Sequence, residues 1–231
     1  MDDRFDAVDF ENKGELIYAQ LSQALIKGVL LPSERLKIRG LAVRMGTSVT
    51  PVRDAILRLV QDGALIMLSP RDIRVRSLSL EEYLEIRSIR VELEGMAAAR
   101  AATQATAEDV KRLRTQMADN ERALHENRLA DAIALNQDFH FELCRIARMP
   151  LLVDILQRLW LKMGPLIAQS YDDGGRHMID HHYPVVDAIA RGDTQAARVA
   201  MQTDILSGGQ AILKRKASET LKANDLALSA D

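Results

Sequence analysis

The sequence predicts a mostly α-helical protein, in which a small domain of short helices and one β-hairpin precedes an all-α antiparallel helical bundle. Hydrophobic residues make up 47% of the 231 residues and aromatic residues only 4%, a composition typical of a globular chain that favours helix. Apolar residues recur at helical spacing along most of the chain. The pair of β-like runs is confined to residues 64–77, so we place the domain boundary near Leu78, between residues 1–78 and 79–231.

The first domain is predicted from three short periodic segments and a turn. Apolar residues at helical spacing indicate three helices, at 14–28, 38–46 and 50–63. Gly63 is expected in the left-handed conformation that ends the third of them. Two β-runs then flank a turn at Pro70–Asp72, which predicts a hairpin. Three short helices followed by a hairpin form a winged helix-turn-helix.

The second domain is predicted from helical signals alone. Ser79 with Glu82 forms a capping-box pattern that opens a helix extending to about Ala102, and Thr106 with Asp109 indicates a second helix start. Four further helices are expected at 131–149, 151–171 with a kink at Pro165, 177–193 and 194–216. Residues 172–175 are expected to form a loop, and the polar tail beyond Lys216 is expected to fray. The result is an acidic bundle of six helices.

Charge is distributed unevenly between the two domains. The whole chain carries a net charge of −2, but Ser33 to Arg76 contains nine Lys/Arg and four Asp/Glu. This segment is therefore +5 and the rest of the chain −7. A compact basic module on an acidic body indicates a polyanion partner, and in a helix-turn-helix that partner is double-stranded DNA.

Candidate DNA contacts gather at the start of the third helix, because the second helix of a helix-turn-helix enters the major groove with its N-terminal end. Short hydroxyl donors, basic side chains on two helices and basic side chains on the hairpin make up the set: Thr47, Ser48, Thr50, Arg39, Arg53, Arg71 and Arg74. Pro51 suits the first helical turn, where its missing N–H is not needed. The alternative interpretation of the Ser/Thr-Pro pattern is an ordinary helix cap.

A candidate metal site follows from spacing in the second domain. Asn136 and His140 are four residues apart and share one helix face. His182 and Asp204 each lie about 15 Å from the turn at Gly192–Asp193, so an antiparallel hairpin makes them neighbours. If the first face packs on this hairpin, four ligand-type side chains converge in the bundle core.

Two alternatives to this metal site stay open. A single histidine on a bundle helix is usually a satisfied or exposed polar residue. His177 and His181, which are also four residues apart, form a rival pair.

The segment "LLPSERLKIRGLAVRMGTSVTPVRDAILRLVQDGALIMLSPRDIRV" resembles the DNA-binding domain of the GntR family of bacterial transcription regulators. The remainder resembles the FadR-type C-terminal domain, FCD. The family pattern implies roles for Arg39, Ser48, Thr50 and Arg53 at phosphates or bases. Val49 stands where the family usually has an arginine that commonly reads a guanine. Valine cannot pair with guanine in this way but can contact a thymine methyl, so we expect an operator that differs at that base.

The same resemblance extends to the metal site and to an effector. Asn136, His140, His182 and Asp204 match a metal site of many FCD domains, with Asp204 where the family has histidine. Two histidines and a carboxylate can still hold Zn²⁺ or a similar divalent ion. Arg90 resembles a family arginine that lines the ligand cavity, although a salt bridge to Glu94 is an alternative. The family's effectors are small organic or sugar acids, or fatty-acyl compounds.

These patterns together predict a ligand-responsive DNA-binding regulator, a repressor that acts as a homodimer in the cytoplasm. Alternative functions are a metal-dependent enzyme and a pure metal sensor.

The single cysteine, Cys144, follows His140 by four residues, but a buried inert thiol is favoured over a nucleophile. One cysteine permits no internal disulfide and fits a reducing compartment. No signal peptide and no membrane-spanning run is expected.

Overall fold

The computed structural model describes residues 13–171 and 175–228 and confirms the predicted fold class. The helices described are α1 (Lys13–Ile26), α2 (Ile38–Arg44), α3 (Val49–Gln61), α4 (Leu80–Gln104), α5 (Ala107–His125), α6 (Leu129–Ile146), α7 (Pro150–Gln169), α8 (His182–Ala190), α9 (Thr194–Gly208) and α10 (Gln210–Leu228). The strands are β1 (Arg35–Leu36), β2 (Leu65–Ser69) and β3 (Asp72–Val75). The first ten residues, judged to lack a signal peptide, lie outside the described residues, as does most of the predicted loop at 172–175.

Helices α1 to α3 and the strands share one hydrophobic core, which places the start of α3 at the surface. The turn between α2 and α3 passes through Gly46 with φ of 61°, and α3 is followed by Gly63 with φ of 75°. The predicted left-handed Gly63 is therefore confirmed. The buried stripe of α3 consists of Val52, Ala55, Ile56 and Leu59, so its opposite face is left for solvent or a partner.

The hairpin is confirmed, and it is part of a small three-stranded sheet with the order β1-β3-β2. Strand β1 pairs antiparallel with β3, with Arg35 opposite Arg74 and Leu36 opposite Ile73. The sequence analysis did not predict β1, because two residues are too few to show alternation. This strand links the chain before α2 to the hairpin and so brings the hairpin close to α2 and α3.

The second core is made by α4 to α10. The predicted capping box is confirmed, with Ser79 and Glu82 bonding reciprocally at the start of α4. The helix start predicted at Thr106 is confirmed as well, and Thr106 and Asp109 form a second capping box there. Helices α4, α6, α8 and α9 pack together and bring the candidate metal ligands inside the bundle. In the described part of the chain, no helix is both long and apolar enough to cross a membrane.

Two predicted helix boundaries in the bundle are wrong. The helix expected from His177 begins only at His182, after a short 3₁₀ helix at Arg176–Met178. Pro184 lies in the first turn of α8, where its missing N–H costs nothing; a start at His177 would have put it inside the helix.

The last predicted helix is also divided in two. It breaks between Gly208 and Gln210, so α9 and α10 are separate and the described bundle has seven helices rather than six. Gly208 and Gly209 both disfavour helix, since glycine is the poorest helix former after proline. The Tyr83 hydroxyl donates to the carbonyl of Gly209 at the break. The tail beyond Lys216, expected to fray, is helical to Leu228.

The two cores meet where α1 packs on α7. A Cβ at Gly164 would lie 2.8 Å from the Cα of Ile26, so the two helix backbones approach closely. Leu161 of α7 belongs to the first core, whereas Leu78, at the predicted boundary, packs in the second. Helix α7 therefore contributes to both cores.

Candidate nucleic-acid interface and metal centre

A groove of about 470 Å³ lies between α2, α3 and the hairpin. Four basic side chains line it, all of them exposed: Lys37, Arg39, Arg53 and Arg71. Val49, the first residue of α3, lines the same groove. The structure thus brings four predicted DNA contacts together in one groove, namely Arg39, Val49, Arg53 and Arg71. Lys37 was not among the predicted contacts, although its place in the basic segment could have indicated it.

The start of α3 presents its hydroxyl side chains outward. Ser48 is the N-cap residue by position, but its side chain makes no capping hydrogen bond. Ser48 and Thr50 are exposed and Thr47 is half-buried. The ordinary cap interpretation therefore does not account for Ser48. Its hydroxyl lies beside the free N–H groups of the helix start, which favour a phosphate.

Arg74 is more constrained than Arg71 on the hairpin. Its Nε donates to the Asp72 carboxylate at 2.9 Å, and Arg35 lies 3.4 Å from the same carboxylate. The hydrogen bond from Arg74, with the charges of both arginines, holds the pKa of Asp72 below its usual range although burial opposes it. Arg71 makes no side-chain ion pair among those described and lies on the groove, so it is the better placed of the two for a phosphate.

Three ligand-type side chains converge inside the bundle, as spacing predicted. His140 from α6, His182 from α8 and Asp204 from α9 offer ligand atoms within 4.8 Å of one another. The Nε2 of His140 lies 3.5 Å from one Asp204 oxygen, and the Nε2 of His182 lies 3.6 Å from the other. All three are buried, with 1% to 4% of the residue exposed.

These residues fit a tetrahedral divalent ion. Zn–N and Zn–O bonds of about 2.0–2.2 Å place tetrahedral ligands roughly 3.3–3.6 Å apart. The distances from the two histidines to the Asp204 carboxylate, 3.5 and 3.6 Å, agree with this spacing. The Nε2 of His182 and the Oδ1 of Asn136 are buried without a hydrogen-bond partner. Buried polar atoms normally have partners, and a cation here would satisfy both. Asn136, the fourth predicted ligand, lines the same cavity as His140 and Asp204.

Burial dominates the electrostatics of this cluster. It lowers the pKa of His182 well below the usual range, and the nearby His140 and His181 lower it further. It also raises the pKa of Asp204 to about 7, with His140 opposing and Glu94 adding to the shift. A divalent cation would reverse the penalty on the Asp204 carboxylate and use the neutral imidazole of His182 as a ligand.

Glu94 is the site residue that the sequence analysis missed. Its carboxylate accepts from Arg90 Nε at 2.5 Å and lies 2.6 Å from the Nδ1 of His140. Burial alone would raise the pKa of Glu94, but Arg90 and His140 outweigh it and lower the pKa to about 2. The spacing of Arg90 and Glu94 indicated their ion pair. The contact with His140, which joins α4 to α6, gave no signal in the sequence.

Arg90 therefore makes the salt bridge that was the alternative to an effector role. It also lines the cavity beside the cluster, and its guanidinium carbon lies 4.3 Å from the centre of the Trp160 ring. This cavity is small, about 30 Å³, close to the space of one water molecule. An acidic effector can reach Arg90 only by widening the cavity and competing with Glu94.

The other candidates of the sequence analysis lie outside this cluster. His177 and His181 are not part of the ligand-type group found among the described residues. Cys144 is fully buried, and burial, with Glu94 adding, raises the pKa of its thiol to about 12. This environment is that of an inert thiol rather than a nucleophile.

Comparison with known proteins agrees with the two parts of the structure. The family described as "Bacterial regulatory proteins, gntR family" matches residues 13–75, and the FCD domain matches residues 85–206. The HTH-type transcriptional regulator McbR of Escherichia coli K12 is 30% identical, covering 84% of this chain and 89% of McbR. The HTH-type transcriptional repressor RspR of the same strain is 25% identical, covering 80% of this chain and 82% of RspR.

Solved structures show the same architecture. The structure of E. coli McbR/YncC superposes on this chain with a TM-score of 0.81 at 28% identity. The superposition covers 91% of this chain and 100% of the McbR/YncC chain. A GntR transcriptional regulator from Rhodococcus sp. RHA1 gives a TM-score of 0.76 at 19% identity, covering 87% of this chain and 98% of the other, and bears on the fold alone.

Proposed function

The chain belongs to the GntR family of bacterial regulatory proteins with an FCD domain, and from this membership we propose that it is a ligand-responsive repressor. As a member it is a DNA-binding transcription regulator, and it is not an enzyme because the family is non-enzymatic. The proposal adds that a divalent metal ion, Zn²⁺ or a similar ion, and a small organic acid in residues 79–231 set the operator affinity of residues 1–78.

The DNA-binding part of the proposal assigns roles within the basic groove. Arg39, Arg53 and Arg71 hold phosphates or base edges, because all three are exposed and line the same groove. Thr47, Ser48 and Thr50 add hydroxyl contacts at the start of α3, and Arg74 supports the hairpin through Asp72. A homodimer places two such grooves on a pseudopalindromic operator about one helical turn apart.

The metal- and effector-binding part of the proposal rests on one observation. The ligand-type side chains of His140, His182 and Asp204 are buried together, and polar atoms at this site have no hydrogen-bond partner. The Nε2 of His182 and the Oδ1 of Asn136 lack partners, and retaining such atoms in a core is costly without a ligand. A bound divalent ion supplies positive charge that attracts a carboxylate effector. Asn136, His140, His182 and Asp204 would hold the ion, and Arg90 borders the effector space.

Two helices connect this cluster to the DNA-binding part. Helix α4 carries Arg90 and directly follows the hairpin, with Arg76 paired to Glu82 in its first turn. Helix α7 carries Trp160 at the cavity and Gly164 against the backbone of α1. A ligand that binds one arrangement of these helices more tightly than another shifts the protein toward that arrangement. The resulting change in DNA affinity cannot exceed the difference between the ligand's affinities for the two arrangements.

Metal analysis combined with operator binding tests the proposal. Purified protein is expected to contain about one zinc or similar ion per chain, as a single site implies. His140→Ala and His182→Ala should lose the ion, because each removes a ligand. His181→Ala is the matched control, since this half-buried neighbour lies outside the cluster. Unchanged metal content in both site variants, or operator affinity that responds to no metal and no organic acid, would contradict the proposal.

The structure also favours a second candidate, a pure metal sensor. The cavity beside the cluster is about 30 Å³ and Arg90 is already paired with Glu94. An organic acid would therefore have to widen the cavity and compete with Glu94, whereas an ion alone would not. For a sensor, adding or removing the ion alone releases the operator. For the first candidate, the ion alone leaves operator affinity unchanged until an organic acid is added, so gel-shift titrations with each component separate the two.

A further inference from the structure

We propose that Glu94, held by Arg90, is a positioning residue that fixes the imidazole of His140 so that its Nε2 faces the metal position. This inference rests on the proposed metal site and deepens it, because Glu94 touches a ligand but not the ion. It also gives Arg90 a function that needs no effector, because Arg90 acts on His140 through Glu94.

The hydrogen bonds determine which nitrogen of His140 carries the proton. Arg90 donates to Glu94 through Nε at 2.5 Å and through a second guanidinium nitrogen at 3.3 Å. A carboxylate that receives both donations is ionised and can only accept. The Nδ1 of His140, at 2.6 Å, must therefore donate to it. In the neutral imidazole, which is the form that binds a metal ion, Nε2 then carries the lone pair on the side of Asp204, 3.5 Å away.

The environment of Arg90 holds this arrangement in place. Its guanidinium lies over the Trp160 ring and one nitrogen lies 4.0 Å from the Met163 sulfur. The side chains of Arg90 and Glu94 are only 6% and 2% exposed. Burying an ion pair this deeply usually gives little net stability, so stability alone does not explain it. Orientation of a metal-ligating histidine by a carboxylate does explain it.

His182 is oriented in a different way, which makes the role of Glu94 specific to one ligand. The His182 ring stacks on Phe139 with centroids 3.9 Å apart and planes 16° apart. The His140 ring meets Phe139 only edge-on, at 84°. Stacking fixes the ring plane of His182. His140 has no stacked partner, since its contacts with Phe139, Trp160 and His182 are edge-on or tilted, and its direct hydrogen bond is to Glu94.

Zinc affinity, measured by competition with a chromophoric chelator, tests the inference. Glu94→Gln keeps the shape but loses the charge, and the double variant Arg90→Met with Glu94→Met removes the ion pair as a unit without leaving an unpaired buried charge. Both are expected to bind zinc about 10- to 100-fold more weakly than the wild type, as for other carboxylates behind ligating histidines. Glu142→Gln is the matched control, because this buried carboxylate of α6 pairs with Arg112 and Arg145 away from the cluster.

A second measurement uses the metal-free protein and therefore does not depend on binding. The ¹⁵N shifts of His140 should show a proton on Nδ1 in the wild type and in Glu142→Gln. In the double Met variant His140 loses its acceptor, so both tautomers should be populated. A purely structural role for the ion pair would lower the melting temperature without changing this tautomer.

The outcomes separate this inference from the proposed function. If His140→Ala loses zinc while Glu94→Gln and the double variant bind it within twofold of the wild type, the positioning role is wrong and the metal site stands. If His140→Ala retains zinc, the metal site itself is wrong. A His140 tautomer that is the same in the double variant as in the wild type also overturns the positioning role.

Discussion

Val49 is the residue at which the DNA-binding surface is most distinctive. It begins α3 and lines the basic groove between Arg39 and Arg53. If α3 enters the major groove as proposed, a branched apolar side chain at this point offers methyl groups to the bases and no hydrogen bond. Base recognition at this position of the operator is therefore expected to depend on a thymine methyl rather than on a guanine.

Val49→Arg is expected to change the preferred base at this position to guanine, because arginine can donate two hydrogen bonds to guanine O6 and N7. A binding selection with randomised operators measures the change, and discrimination of about 1–3 kcal/mol is expected. Gln61→Arg is the matched control, since it adds the same charge at the exposed far end of α3. A wild-type selection that already returns guanine there would contradict the prediction.

Cys144 provides a pH prediction at the residue scale. Burial raises the pKa of its thiol to about 12, so at pH 8 the folded protein holds the protonated thiol, and raising the pH to 9 changes little. A disulfide reagent that requires the thiolate should label the native protein very slowly at both values. It should label the urea-unfolded protein fully. Rapid native labelling that rises tenfold per pH unit up to an ordinary thiol pKa would show that Cys144 is reactive.

At the level of the single residue, sequence spacing predicted which residues share a helix face or a helical hairpin, but not which residues of distant helices are in contact. Helical periodicity placed Asn136 with His140, and hairpin counting placed His182 beside Asp204. Glu94 was missed because its partner His140 lies on another helix, and no local pattern records which helices pack. The cavity size was missed for the same reason, because it depends on side chains from several helices.

At the scale of the element, α7 has two functions that its length and amphipathicity alone did not reveal. One side carries Trp160 and Met163 to the Arg90–Glu94 pair. Another side carries Gly164 to the end of α1 and Ala168 to the turn that follows α1, where a Cβ on Gly28 would lie 2.2 Å from the Cβ of Ala168. The small residues are therefore required by the close approach of α1.

Gly164→Ala is expected to destabilise the protein by about 1–3 kcal/mol, as overpacking does. The added Cβ would lie 2.8 Å from the Cα of Ile26 and 3.1 Å from the carbonyl oxygen of Leu25, and backbone cannot give way as a side chain can. Urea unfolding measures the change. Gly14→Ala serves as the control, because nothing lies within 4 Å of its new Cβ. Equal stability of both variants would mean that α1 and α7 do not pack as described.

The helix boundaries show where local patterns fail at this scale. Capping boxes located the starts of α4 and α5, since each is a local hydrogen-bond pattern. Strand β1 was missed because it depends on its partner β3 rather than on its own two residues. The break between α9 and α10 was missed although the Gly208–Gly209 pair was visible, because the Tyr83 bond that accompanies it comes from α4.

At the scale of the whole molecule, the basic groove lies on a chain of net charge −2. We expect the acidic bundle to repel polyanions and the local positive charge to direct DNA to the basic groove. The physical consequence is a strong dependence on salt, because phosphate contacts release counterions.

Operator affinity should fall steeply between low and physiological salt, with a log–log slope of about −0.9 for each phosphate contact. Arg39→Ala should make the slope less negative by about 0.9 for each phosphate that the Arg39 guanidinium neutralises. Arg191→Ala removes an exposed arginine of the bundle and should leave the slope unchanged. Gel-shift titrations over a salt series measure both. An affinity that ignores salt would exclude the groove as the contact surface.

The amino-acid sequence was sufficient to establish the fold class, the order of the two parts, most helix and turn positions, the charge asymmetry and the family. All of these except the family follow from periodicity, capping residues and composition, which act over a few residues of chain. The family follows from the resemblance of residues 30–75 to the GntR DNA-binding domain. Packing in three dimensions was needed to establish that Glu94 holds His140, that Arg90 is already paired, that the cavity is small and that α7 joins both cores. Those features depend on how helices distant in the chain pack, because close packing, not local preference, sets which buried polar groups meet.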